Sequence, residues 1–355
     1  MTSAGGSPTP SPTTTGKGGS STGGSQNRKG RIDRIFEAAT PLERKRYYRE
    51  EWDVRKLPDF IARNIHMREF GFDHTGRGPS DRYRVFDDEK RLSRFMRARF
   101  PFAAYSSVAF YREPGKRRGW QRSELIFDVD AKDLPVRSCD CEGVCERCLD
   151  EAKELVLMMV DTLRGDLGLG DVHVVYSGRG YHIRVLDPGV MELGSEVRAE
   201  ILRYTAGARQ PRRKFTHRGE SYEMEHFSIP LGYHRVFTER AKHVFLHMRG
   251  DERIENVTAR TVREVVKNRD LLPDDRWGEF RRRIGPRVYP RLVAGVAGIN
   301  MKMVDAKVTI DLKRILRLPT SLHSKVSMIC MEVKNPETFD PLKSAVPKFV
   351  HERES

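Results

Sequence analysis

The chain has no long apolar run. Its longest, residues 155–160, spans six residues, far below the ~18 that a membrane-spanning helix needs. No apolar segment follows Met1 either: the sequence is polar from Thr2 onward, and no secretory signal is expected. Cysteine is scarce, five in 355 residues, and this excludes a disulfide-dense scaffold. The composition is not that of a collagen. No Walker loop and no Gly-x-Ser-x-Gly elbow occurs, which argues against a P-loop NTPase and an α/β-hydrolase. Residues 1–30 contain no acid and almost nothing apolar. They are Gly, Ser, Thr and Pro with three cations (Lys17, Arg28 and Lys29), a composition expected to be disordered.

What the chain does have is an excess of cations. Lys and Arg number 65 against 50 Asp and Glu, a net +15, and the tail accounts for only +3 of it. The remaining +12 lies on residues expected to fold, and favours a nucleic-acid partner through phosphate neutralisation and counterion release. A basic surface kept for solubility is the plainer alternative. The expected setting is intracellular: cytoplasmic, at the nucleoid. Length points to about two domain-sized units.

The local patterns are mixed. Ile32, Ile35, Phe36 and Ala39 have helical spacing, with a restart expected at Pro41. Residues 125–129 read as a strand. Residues 149–163 read as an amphipathic helix stopped near Gly165. Val172–Tyr176 and residues 181–186 read as a hairpin around Ser-Gly-Arg-Gly, and residues 195–204 as a helix capped by Ser195. Residues 205–290 are basic and expected to be mostly helical, with one helix at 258–267. An ordered pattern returns at 308–318.

Four segments carry chemistry. Cys139-x-Cys141-x3-Cys145-x2-Cys148 offers four thiolates within ten residues, the donor set of a closed, structural Zn²⁺ site; the alternative is four reduced thiols in a loop. Cys330 stands apart and reads as apolar filler. Asp128 and Asp130 alternate on a strand, so both point to one face about 6–7 Å apart at Cα. Such a pair can share Mg²⁺ or Mn²⁺ in the manner of a polymerase, or can simply be the wet face of an edge strand. Ser177-Gly-Arg179-Gly-Tyr-His182 places a hydroxyl, a guanidinium and an imidazole among glycines that let backbone amides approach a phosphate, unless it is an ordinary turn. Arg317-Leu-Pro-Thr-Ser-Leu-His323-Ser-Lys325 concentrates basic groups, and Asp305 or Asp311 is the candidate third carboxylate.

In order and content these segments resemble the small catalytic subunit of archaeal and eukaryotic DNA primase. Arg68-Glu-Phe-Gly-Phe72 resembles that family's N-terminal motif, and the cysteines fall where many members carry a zinc stem. The resemblance spans about residues 40–330. It implies a mixed α+β "prim" catalytic domain with β-sheets lining the site, at 31–186 and 287–355. A zinc stem falls near 134–150, and a smaller helical subdomain at 187–286. It implies template-directed primer synthesis from nucleoside triphosphates on single-stranded DNA. Asp128, Asp130 and Asp305 would hold the catalytic Mg²⁺ or Mn²⁺, Asp305 standing fourteen residues before Pro319 as in the family. Ser177, Arg179, His182, Arg317, His323 and Lys325 would contact nucleotide, with Arg68 a further site candidate and a large regulatory subunit as partner.

The chain departs from the family in two places. The Ser177–His182 turn is one residue shorter than in many relatives, and Val326-Ser327 replaces the usual small residue and glycine after the final lysine. The rival readings are a primase-like polymerase devoted to repair or gap filling, and a non-catalytic, zinc-containing module that binds single strands.

Overall fold

The structure, a computed structural model, describes residues 35–211 and 214–353. The expected disordered tail, 1–30, and Ile32 lie outside the described residues. The architecture is mixed α+β, as expected.

A four-stranded sheet runs in the order Met331–Val333, Val172–Tyr176, Gly180–Val185, Leu125–Asp130, every neighbouring pair antiparallel. The Leu125–Asp130 strand is apolar at Leu125, Ile126, Phe127 and Val129, all buried, and polar only where Asp128 and Asp130 emerge at its end. The Glu146–Asp161 helix packs on this sheet, burying Leu149, Ala152, Leu155, Val156 and Met159 at the three- and four-residue steps read from sequence. It passes into a π-helical turn, Thr162–Asp166, so Gly165 lies inside the last turn rather than beyond it.

A second four-stranded sheet has the order Ile315–Arg317, Ala103–Ser107, Phe70–Asp73, Asp81–Arg84. Buried charge joins the two sheets. Glu124, fully buried, accepts from Arg184 Nη1 at 2.9 Å and pairs with Arg68. Its own backbone oxygen accepts from Arg198 Nη1 at 2.6 Å. Four ionic groups this deep are tolerated only because each is paired or hydrogen-bonded to backbone.

The helix expected to restart at Pro41 does so: Pro41–Arg46 opens with a capping box in which Thr40 and Glu43 satisfy each other's backbone N–H. Ser195 is not a cap. The helix Ser195–Thr205 has Gly194 at that position, and Ser195 Oγ instead donates to Ile310 O at 2.9 Å, tethering the helix to the segment after Asp305. The basic stretch is helical at Gly232–His247, Ala259–Asn268 (capped by Thr258) and Trp277–Ile284. It also holds a hairpin, Lys214–His217 with Glu220–Glu223, that the sequence pattern did not reveal. The Tyr289–Lys302 helix packs on Gly232–His247, and one continuous apolar core runs through both parts of the chain. Cys330 is fully buried, as expected of a filler. Among the described residues no helix is long and apolar enough to cross a membrane.

Candidate active site and metal centre

Antiparallel pairing sets Asp128 opposite His182 and Asp130 opposite Gly180. Only glycine fits at position 180, because a Cβ there would lie 2.2 Å from Val129 O. Asp305 comes from a distant segment, and its backbone N–H donates to Asp128 O at 3.0 Å. Its carboxylate caps the Ala306–Ile310 helix, accepting from Lys307 N at 2.9 Å, and that helix packs on the Asp128 strand. Asp311 sits at the opposite end of the helix and accepts from Lys313 N at 2.9 Å.

The three carboxylates repel one another. Burial and the neighbouring charges of Asp130 and Asp305 push the Asp128 carboxyl up to about 7, against the pull of Arg314 and Arg179. Acids so frustrated suit a hard divalent cation, which takes oxygen ligands and offsets the repulsion. The residues present therefore fit such an ion.

Basic groups border the carboxylates. Arg179 Nε donates to Asp130 Oδ1 at 3.0 Å, with Nη2 on Oδ2, so this guanidinium is engaged by Asp130. His182 Nε2 stands 3.5 Å from Asp128 Oδ1, and its buried Nδ1 has no hydrogen-bond partner among the described residues. Burial, then Arg184 and Arg317, lower His182 to about 3, so the ring is neutral. The turn at Ser177 meets the Arg317–Lys325 segment directly. Gly178 adopts φ +102°, and a Cβ there would be 2.4 Å from the Cβ of His323. Ser177 and His323 are buried, whereas Lys325 is exposed. His323 Nδ1 accepts the Lys325 backbone N–H at 3.1 Å, and burial, then Arg317 and Arg179, hold its pKa well below the usual imidazole range. Arg317 donates to Leu322 O at 3.3 Å and lies over the Tyr105 ring.

The segment's conformation is held by residues the sequence reading missed. Thr320 is left-handed at φ +77°, a strained geometry for a β-branched residue. Tyr47 Oη donates to Thr320 O at 2.8 Å, Trp52 Nε1 to Thr320 Oγ1 at 2.9 Å, and Leu322 N donates to Tyr48 Oη at 3.2 Å. The only sequence signal was an aromatic cluster in a basic helix. Arg314 was missed too. Arg68 is fully buried and bonded to Glu124, to Ser107 O and to Phe60 O, so its guanidinium is engaged within the core.

The four cysteines form a separate centre. Their sulfurs lie within 4.8 Å of one another, with Cys139–Cys141 at 3.5 Å and Cys141–Cys148 at 3.9 Å. Tetrahedral Zn–S bonds of ~2.3 Å place sulfurs about 3.8 Å apart, so the donors fit a thiophilic ion. Cys145 caps the Glu146–Asp161 helix, and buried Glu151 accepts from Ser138 N at 3.1 Å, fastening the cysteine loop to that helix.

Carboxylates converging from two segments, faced by histidines and arginines that suit phosphate, are the kinds of group that nucleotidyl transfer calls for. The DNA primase small subunit family matches residues 127–334. The chain is 83% identical over 320 residues to the DNA primase small subunit PriS of Methanothermobacter thermautotrophicus, covering 90% of this chain and 99% of that one. It is 55% identical to the same-named protein of Methanobrevibacter smithii (90% and 99% covered) and 41% identical to that of Thermococcus kodakarensis (90% and 95%). The chain belongs to the DNA primase small subunit family.

Proposed function

We propose that Asp128, Asp130 and Asp305 hold Mg²⁺ or Mn²⁺, and that Ser177, Arg179, His182, Arg317, His323 and Lys325 receive the incoming nucleoside triphosphate. The chain is a catalytic primase subunit, a DNA-directed nucleotidyltransferase of DNA replication. The observation that carries the site assignment is the backbone bond from Asp305 to Asp128, which sets a third acid beside the strand pair. Bound cations would supply charge for the triphosphate and for the attacking hydroxyl.

The chain's own groups do the positioning. Because His323 Nδ1 accepts from Lys325 N, its Nε2 carries the proton and is a neutral donor toward a phosphate oxygen. Arg179 is held at Asp130, and with a cation on that carboxylate its guanidinium would be available to bind phosphate bidentately. Lys325 adds an exposed charge.

The Cys139, Cys141, Cys145 and Cys148 centre holds Zn²⁺ and is structural, since four filled positions leave none for substrate. The small-subunit family implies a large subunit; we propose a heterodimer acting on single-stranded DNA at the nucleoid in the cytoplasm. Catalytic residues then occupy 31–186 and 287–355, around a helical unit at 187–286 and a zinc stem near 134–150. The Tyr289–Lys302 helix packs across the later boundary.

The test is primer synthesis on a single-stranded template, with ribo- and deoxynucleotides supplied separately. Asp305→Asn should abolish synthesis and Asp311→Ala should preserve it; the reverse result would replace the third ligand.

A further inference from the structure

Glu154, His243 and His247 form a cluster that primase chemistry does not use. His243 and His247 stand one turn apart on the Gly232–His247 helix, and Glu154 faces them from the Glu146–Asp161 helix. Glu154 Oε2 is 3.5 Å from His243 Nδ1 and 3.4 Å from His247 Nε2, and the three donor atoms lie within 4.8 Å of one another. Those separations exceed the ~2.7–3.2 Å of a good N–H···O bond. They match the edge of a metal tetrahedron, about 3.4 Å for Zn–N and Zn–O bonds near 2.0–2.1 Å.

The tautomer is set as well. His247 Nδ1 lies 2.8 Å from His243 O, a bond that only its N–H can make, so Nε2 presents a lone pair toward Glu154. His243 is buried and His247 half-buried, while Glu154 is exposed, which leaves an entry path from solvent. Arg240, one turn before His243 on the same helix, is buried and bonded to Met158 O and Thr162 Oγ1 on the facing segment. Its guanidinium is thus hydrogen-bonded to that segment, although its charge still acts on His243.

We propose that Glu154, His243 and His247 form a second divalent transition-metal site, Zn²⁺ by its donor set, distinct from the four-cysteine centre. Two His and one carboxylate leave a fourth position for water. The ion would clamp the Gly232–His247 helix to Glu146–Asp161, the helix that begins at Cys145 and covers the sheet carrying Asp128. A second link between the same regions is already in place, where Arg249 Nη1 donates to Cys139 O at 3.2 Å.

The test is equilibrium dialysis of the full chain against low-micromolar Zn²⁺ with millimolar Mg²⁺ present to occupy the carboxylates, followed by elemental analysis. His247→Gln and Glu154→Gln should each bind one Zn²⁺ per chain fewer than the unsubstituted protein. With Co²⁺, the lost equivalent should carry no thiolate charge-transfer absorption. Both variants should keep their helical circular dichroism, and Zn²⁺ should raise the melting temperature of the unsubstituted chain more than theirs. Equal Zn²⁺ content in all three proteins, or loss of the thiolate-bound ion instead, would overturn the assignment.

Discussion

At Gly178 the backbone turns through φ +102°, and any side chain there would collide with His323. Gly178→Ala should therefore displace the imidazole: about 1–3 kcal/mol of stability is lost to the left-handed geometry, and nucleotide use falls with it. Thermal melts and a KM series for nucleotide check both effects. His323→Ala should weaken nucleotide use while sparing template binding; equal losses in both would put His323 on the DNA path. Among the carboxylates, Asp128→Asn should cost ~10³-fold or more in nucleotide addition with folding intact. A working polymerase after that change would remove the catalytic reading. At this scale the sequence was informative, because acids, histidines and glycines in fixed order are rare by chance. Arg68 shows its limit. A motif arginine looks the same in a string whether it meets a phosphate or a buried glutamate.

Elements are fixed by what packs on them. Arg68, Glu124, Arg184 and Arg198 approach from four segments and lock the two sheets together. Glu124→Gln should destabilise the fold by about 3–5 kcal/mol, since Arg68 and Arg184 lose their counter-charge in a dry site. Chemical denaturation measures that loss. In the cysteine stem, Cys145→Ser should release about one Zn²⁺ per chain and lower the melting temperature, leaving chemistry affected only indirectly. Freshly purified protein without zinc would refute the site. Periodicity revealed the Glu146–Asp161 helix and the Val172–Val185 hairpin, whose apolar positions follow one rule each. The hairpin at 214–223 escaped because its strands are short and largely polar.

Over the whole molecule, the two ends of the described chain are clasped. Glu43, at the start of the Pro41–Arg46 helix, meets Arg353 at 2.6 Å, and Arg353 also donates to Ser327 Oγ at 3.0 Å. Ser327 lies just beyond the Arg317–Lys325 segment, and its own Oγ donates to Glu37 O at 2.7 Å. The Arg353 guanidinium holds the Glu43 carboxyl down to about 2, below its ordinary 4.5. A carboxylate lowered on folding stabilises the fold fully above its unfolded value, and that contribution fades as pH falls. The stability difference between the native chain and Glu43→Gln should therefore be constant above about pH 5 and shrink between about 4.5 and 2. A difference independent of pH would show that the ion pair contributes nothing.

The sequence by itself determined the class of chemistry, the zinc-type cysteine spacing, the strand carrying Asp128 and Asp130, and the order of the segments proposed to receive phosphate. These depend on residue type and on neighbours a few positions away, which a string records. Only the tertiary structure decided that Asp305 lies against Asp128 and that Tyr47, Tyr48 and Trp52 hold Thr320. It also decided that Arg68 belongs to the core and that Glu154 faces His243 and His247. Each of these joins residues far apart in the chain, and long-range proximity comes from how sheets and helices pack, which no local pattern encodes.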